Sequence, residues 1–264
     1  MPDGLRYYIV DAFADRRFSG NPAGVCLLEA PIADELMQNI ATENNLAETA
    51  FLYKTGDEYS LRWFTPEIEM DLCGHATLAS AYVLFQFVEK ETDHLRFMTQ
   101  SGLLEVTRNG DLLEMDFPAR PPRKIPVIDL MEQALNMPVA EAYLSRDMIL
   151  LLSSEKQVAE VSPDLALAAQ IPDCVNFIVT APGDQVDFVS RFFTPGISIP
   201  EDPVTGSAHS SLVPFWAQRL NKQQLTARQL SKRGGILYCL NKGERVQLAG
   251  KAILYLAGEI YVSN

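Results

Sequence analysis

The strongest constraint on this chain is a repeat inside it. Trp63-Phe64-Thr65-Pro66 is answered by Phe192-Phe193-Thr194-Pro195. Each is followed by a short polar-apolar connection that ends in a glycine, Gly74 or Gly206, the second connection being the longer. Behind each glycine runs a small-residue apolar segment, ATLASAYVLFQFV in the first half and SAHSSLVPFWAQRL in the second. Upstream, Leu46–Leu52 lines up with Pro172–Ile178, which sets Glu48 against Cys174. Three matched features in one order point to duplication. A duplicated chain of 264 residues gives two similar domains, each able to bury a core. The run PARPPRKIP, with Pro118, Pro121, Pro122 and Pro126, cannot hold a regular element. It sets the boundary near 120 and the halves at 1–120 and 121–264.

The patterning inside each half is mostly strand with one long apolar helix. Predicted strands of the first half are Tyr7–Ala12, Val25–Leu28, Ala47–Tyr53, Ser60–Phe64, Leu103–Thr107 and Leu112–Phe117. Those of the second are Met148–Leu152, Asn176–Thr180, Asp187–Phe193, Ile236–Leu240, Arg245–Ala249 and Ala252–Glu259. Asn109-Gly110 is a hairpin turn signal. Asp34–Glu43 is predicted as an amphipathic helix with Leu36, Met37 and Ile40 on one face. Antiparallel strands wrapped around an apolar helix, twice over, is the simplest assembly that hides both helices. The fold class is therefore α+β, and a pseudo-two-fold axis would turn both helix starts into one cleft.

Composition narrows the function. The formal net charge of −12 makes nucleic acid and anionic membrane poor partners. Cys26, Cys73, Cys174 and Cys239 lie far apart without a CxxC pair, and histidines are few, so a structural zinc site is not expected. The N-terminus lacks a signal-peptide pattern. Ala76–Val88 is too short to span a bilayer and reads as a buried helix. The expected location is the cytoplasm. No motif for metal, flavin, pyridoxal phosphate or nicotinamide occurs, so no cofactor is expected.

Three places could carry chemistry. Gly74-His75-Ala76-Thr77 heads the apolar helix, where unpaired N–H groups and the helix dipole favour an anion; His75 could equally be a cap or a packed side chain. Glu201-Asp202-Pro203-Val204-Thr205-Gly206-Ser207 follows the same logic, with Ser207 offering a hydroxyl. Asp202 before proline could instead cap a helix. Glu48 is the charged residue within Leu46–Tyr53, in apolar company on either strand face. An unpaired carboxyl group there would favour its protonated form, which suits a general acid/base; the alternative is an edge-strand Glu facing water. Cys73 matches Thr205 rather than a second cysteine, so a two-thiol proton-transfer pair is incomplete and Cys73 reads as a small buried hydrophobe. His209 should turn away from its helix start.

The motifs together resemble a known family. They are Val10-Asp11-Ala12-Phe13, Ser19-Gly20-Asn21-Pro22-Ala23-Gly24-Val25, Asn44-Asn45-Leu46-Ala47-Glu48-Thr49-Ala50-Phe51, Arg62-Trp63-Phe64-Thr65-Pro66, Asp71-Leu72-Cys73-Gly74-His75-Ala76-Thr77 and Glu201–His209. In this order they resemble the PhzF-like phenazine-biosynthesis family, which has the diaminopimelate epimerase-like fold. The resemblance implies barrel-like strands around a central helix in each of two domains, a cleft between them, no cofactor, and a homodimer. In the phenazine enzyme a glutamate moves a proton along a dihydro-hydroxyanthranilate, and that role maps onto Glu48. Site-shaping residues map onto His75 and Asp202, and substrate-binding positions onto Asn21, Gly74, Gly206 and Ser207. The segment Ala227–Gly234 departs from the family's Gln-Gly…Gly-Arg-Pro stretch.

The resulting expectation is an isomerase that shifts a proton on a small carboxylate, without metal or other cofactor. Glu48, His75 and Asp202 would be catalytic, and Asn21, Gly74, Gly206 and Ser207 would bind substrate. The rivals are a cysteine-type racemase, which Thr205 argues against, a binding protein of the same fold without turnover, and a metal hydrolase, for which no ligand cluster is apparent.

Overall fold

The computed structural model describes residues 4–196 and 199–262. The first three residues of the N-terminal segment read above lie outside them. By contacts the chain divides into two units, Met1–Asp116 with Ala249–Asn264, and Phe117–Leu248. The expected second half, 121–264, thus gives up its last segment to the first unit. The cause is strand Ala252–Tyr261, which pairs antiparallel with Gly4–Ala12 from Ala12↔Ala252 to Gly4↔Tyr261. Local periodicity carries no record of a partner at the far end of the chain.

In the first unit, Gly4–Ala12 also pairs antiparallel with Asn21–Leu27. Asn21–Leu27 runs parallel to Glu48–Thr55, reached through helix Asp34–Asn44, whose Met37, Ile40 and Ala41 are buried. Glu48–Thr55 pairs antiparallel with Glu58–Phe64, which also holds the two-residue strand Glu69–Met70. Helix Gly74–Phe87 then crosses to His94–Thr99, parallel to Glu58–Phe64. Gly102–Asn109 and Leu112–Pro118 follow in antiparallel hairpins.

The second unit repeats this plan pairing for pairing. Glu141–Leu144 is antiparallel to Met148–Leu151, which is parallel to Phe177–Pro182. Phe177–Pro182 pairs antiparallel with Phe188–Phe193, which holds the short strand Glu201–Asp202. Helix Gly206–Leu220 crosses to Gln224–Gln229, parallel to Phe188–Phe193, and Gly235–Asn241 completes a hairpin. The α+β class holds, but each sheet is mixed rather than wholly antiparallel. Parallel neighbours need a crossover long enough to carry a helix, and both units have such crossovers.

Registers correct the alignment of the halves. Thr49 pairs with Phe64, and Phe177 pairs with Phe193. With the two Phe-Thr-Pro motifs matched, Thr49 corresponds to Phe177, so Glu48 corresponds to Asn176 and not to Cys174. The expected alignment slipped by two residues because little identity marks that stretch. The proline-rich run is also less empty than expected. Arg123–Ile125 forms a short strand paired with Glu141–Leu144. The prolines flank it, so its three residues keep their N–H groups.

Helix Gly74–Phe87 is buried on nearly every side, from His75 to Phe85. A helix apolar all round belongs in a core; this one packs on Gly4–Ala12, Asn21–Leu27, Glu48–Thr55 and Ala252–Tyr261. Truncating a wholly buried side chain there, such as Leu84, costs about 2–5 kcal/mol. Helix Gly206–Leu220 carries Pro214 in its interior. Proline removes the N–H that would bond the carbonyl of Ser210. The backbone N–H of Arg120 donates to that carbonyl instead, at 2.8 Å. The vacancy in the helix ladder thereby anchors the proline-rich segment.

Candidate functional site

The two Phe-Thr-Pro motifs aim the chain at the helix starts. In the first unit, the N–H groups of Glu67 and Ile68 donate to Thr65 Oγ1, at 3.1 and 2.9 Å, closing the turn. Arg62 then holds Glu69 with a two-pronged grip. In the second unit, Thr194 N donates to Pro200 O at 3.1 Å, its hydroxyl donates to Ile199 O, and Arg191 holds Glu201. Each helix starts just beyond. Its N-cap residue, Cys73 or Thr205, is extended and makes no capping hydrogen bond. The uncapped first turn keeps its dipole-favoured affinity for an anion.

At the first helix start the structure brings together Asn21, Glu48, Gly74 and His75. Glu48 opens strand Glu48–Thr55, in register with Ala23. Its Oε2 lies 3.1 Å from His75 Nε2. Their side chains are 17% and 6% exposed, so Glu48 is neither alone among apolar groups nor facing water. The approach lies off the ring N–H direction, and neither atom has an aligned hydrogen-bond partner. On the other edge of the ring, Asn21 Nδ2 approaches Nδ1 at 3.2 Å and Cys73 Sγ approaches it at 3.5 Å. His75 is not the cap, which is Cys73. Nor is Cys73 only a hydrophobe: it is buried, but its sulfur touches the imidazole.

Electrostatics follow from this packing. Burial works against a charged His75, while negative charge at Cys73 and Glu48 works for it, and the net effect is upward. Cys73 is itself pushed up, first by burial and then by the Glu48 carboxylate. A thiol held protonated contributes little charge, so Glu48 is the group that keeps His75 basic. Glu48, Cys73 and His75 place ligand-type atoms within 4.8 Å of one another, a cluster that the sequence did not reveal. His75 nevertheless turns Nε2 to Glu48 and Nδ1 to Cys73. One ion cannot take both ring nitrogens, so the present rotamers form a chain of contacts rather than a shared coordination point.

The second helix start gathers Asp202, Gly206 and Ser207. Asp202 is not a helix cap, since that position is Thr205. It lies in the short strand opposite Phe192, and its carboxylate accepts from the Thr205 hydroxyl. Gln229, wholly buried, ties the loop: Thr205 N donates to its Oε1 at 2.9 Å, and its Nε2 donates to Asp202 O at 2.7 Å. Ser231 Oγ adds a bond to Pro203 O at 2.7 Å. Ser207 Oγ accepts from Arg146 Nη2 at 3.0 Å, and Arg146 also pairs with the buried Asp147. His209 is buried, with Nδ1 2.8 Å from Thr205 O. Burial brings it down to about 4 against the pull of that bond.

Sequence reasoning missed Gln229 and Arg146. Gln229 lies in the Ala227–Gly234 segment, where the departure from the family pattern hides it. Arg146 reaches Ser207 across 61 residues of chain, and a lone surface-type arginine gives no local signal of that.

Comparison with known proteins supplies a family. The profile described as "Phenazine biosynthesis-like protein" matches residues 10–258. The chain is 52% identical to an uncharacterized isomerase of Pseudomonas aeruginosa, over 98% of this chain and 99% of that protein. It is similar to the crystal structure of a PhzF-family phenazine biosynthesis protein from Enterococcus faecalis, with TM-score 0.96 and 50% identity, covering 98% of this chain and 100% of that one. A hydroxyproline epimerase from Agrobacterium vitis shares the fold at TM-score 0.63 and 10% identity, covering 100% of this chain and 94% of that one. Among the described residues no helix is long and apolar enough to cross a membrane.

Proposed function

The chain belongs to the phenazine biosynthesis-like family, and from that premise we propose that it is an isomerase that shifts a proton between carbons of a small carboxylate, with no cofactor and with Glu48 as acid/base. The single observation that carries this reading is the pairing of Glu48 Oε2 with His75 Nε2 at 3.1 Å between two largely buried side chains, with neither atom in an aligned hydrogen bond. Relatives named as isomerases support the reaction class.

In the proposed cycle the Glu48 carboxylate removes a proton from an activated carbon and, as the acid, returns it to another. A single group serving both steps is most effective when its two forms are close in energy. His75 Nε2–H stabilises the carboxylate form from which the cycle starts and to which it returns. Asn21 orients the ring from behind. Gly74 offers a backbone N–H to a substrate oxygen, and in the second unit Gly206 and Ser207 offer the same kind of donors, with Arg146 adding positive charge at Ser207. Asp202, fixed by Thr205 and Gln229, is the third catalytic group. A thiol-based racemase is the poorer reading, because Thr205 stands where a second cysteine would, and its hydroxyl is engaged by Asp202.

The test uses Glu48→Gln, nearly isosteric but unable to carry the proton. Wild-type protein is incubated in deuterium oxide with a dihydro-hydroxyanthranilate and with a panel of small carboxylates, and carbon-bound deuterium is read by NMR. Turnover and exchange should fall by roughly 10²-fold or more, with the melting temperature retained. Retention of most of the wild-type rate would make Glu48 structural and move the proton carrier to His75 or Asp202.

A further inference from the structure

The two N-cap residues share an arrangement that the duplication alone does not require. Thr77 Oγ1 donates to Cys73 O at 2.6 Å, and His209 Nδ1 reaches Thr205 O at 2.8 Å. Counting from Gly74 and Gly206, Thr77 and His209 hold the same helical position. Each pins the carbonyl of its N-cap residue, so the N-cap backbone is fixed while its side chain is not spent on the helix. In the second unit the released Thr205 hydroxyl donates to Asp202. In the first, the released Cys73 sulfur lies against His75 Nδ1, and the far nitrogen of that ring faces Glu48.

We infer that Cys73 is a positioning residue whose thiol, with the Asn21 amide, donates to His75 Nδ1 and so keeps the ring proton on Nε2, facing Glu48. The argument is one of donors and acceptors. A neutral imidazole has one N–H and one bare nitrogen. Asn21 Nδ2 can only donate, and a thiol beside it can donate as well. Two donors at Nδ1 leave Nε2 to carry the hydrogen. The groups lining the ring are Cys73 from its own helix start, Glu48 from strand Glu48–Thr55 and the neutral Asn21 from strand Asn21–Leu27. The N-cap residue in each unit would then orient an acid, Thr205 directly and Cys73 through an imidazole. The inference rests on the role given to Glu48 above, but its test needs no substrate.

The chain has three histidines, so their ring nitrogens can be assigned individually by ¹⁵N NMR on the full-length protein. In the wild type, at a pH above the raised value of His75 where the ring is neutral, Nδ1 should carry no proton and Nε2 should carry one. Cys73→Ser, which keeps a donor, should preserve that tautomer. Cys73→Ala should lower its share, and adding Asn21→Ala should lower it further. Once the ring is neutral, a proton found on Nδ1 in the wild type overturns the inference without recourse to any variant. An unchanged ring in Cys73→Ala overturns it too, by showing that Asn21 suffices. If Glu48→Gln abolishes turnover while Cys73→Ala leaves the ring unaltered, the isomerase reading stands and this one falls.

Discussion

Arg62 grips both carboxylate oxygens of Glu69, Nε to Oε1 at 2.6 Å and Nη2 to Oε2 at 2.8 Å. Arg191 repeats the grip on Glu201 at 2.7 and 2.9 Å. Each guanidinium also lies over the phenylalanine two residues on, Phe64 or Phe193. The paired forks tie the strand before each Phe-Thr-Pro turn to the short strand that leads into the helix start. Two-pronged charge-assisted bonds on half-buried groups exceed ordinary surface ion pairs. Glu69→Gln should therefore lower stability by about 1–2 kcal/mol, read as a lower urea midpoint at unchanged slope, and Glu201→Gln should do the same. An unmoved midpoint in both would reduce the forks to decoration.

His209 makes stability depend on pH. Its folded value, about 4, lies below the ordinary imidazole value of 6.5. Between these limits the unfolded chain binds a proton that the folded chain refuses, so stability falls as pH drops from 6.5 toward 4 and then levels off. Linkage puts the loss at about 2 kcal/mol between pH 7 and pH 5. His209→Gln keeps a donor for the Thr205 carbonyl and carries no titrating group. Urea titrations at both pH values should show that share of the pH dependence gone. His75, shifted in the opposite direction, is common to both proteins and cancels in the comparison.

Gly24 is required by close approach rather than by its backbone angles. A methyl group on its Cα would fall on the Tyr7 hydroxyl and 2.8 Å from Thr49 Oγ1, both buried. Gly24→Ala should cost roughly 1–3 kcal/mol, the usual range for overpacking. Tyr7→Phe removes the obstructing oxygen, so the double variant should recover part of the loss. A double-mutant cycle by thermal melting measures the coupling, and strict additivity would refute the contact.

Much of this was legible in sequence where a signal was local. Strand patterning, alternating with period two in several of them, marked twelve strands, and the apolar runs marked both long helices. His94–Thr99 was passed over because only Leu95 and Phe97 are buried in it, and Gln224–Gln229 offers only Leu225 and Ala227 among its apolar residues. For the candidate site, motif order was enough to single out Asn21, Glu48, His75 and Asp202. What they touch was not readable. The partner of Glu48 lies on a different element, Cys73 looks like any small core residue, and Gln229 is defined by three polar atoms brought to it from the loop before the helix. Such relations are set by tertiary packing, for which one sequence holds no period.

Strand Gly4–Ala12 lies between Asn21–Leu27 and Ala252–Tyr261. One of its edges is therefore supplied by a near neighbour in sequence and the other only when Ala252–Tyr261 has been made, roughly 240 residues later. At roughly 5–20 residues per second the interval is on the order of tens of seconds. Throughout it the nascent first domain displays a bare row of backbone donors and acceptors, the kind of edge that recruits strands from other chains. Completion of the first domain is thus timed by translation of Ala252–Tyr261, and the hazard of premature pairing falls on the half-made protein rather than on the finished one.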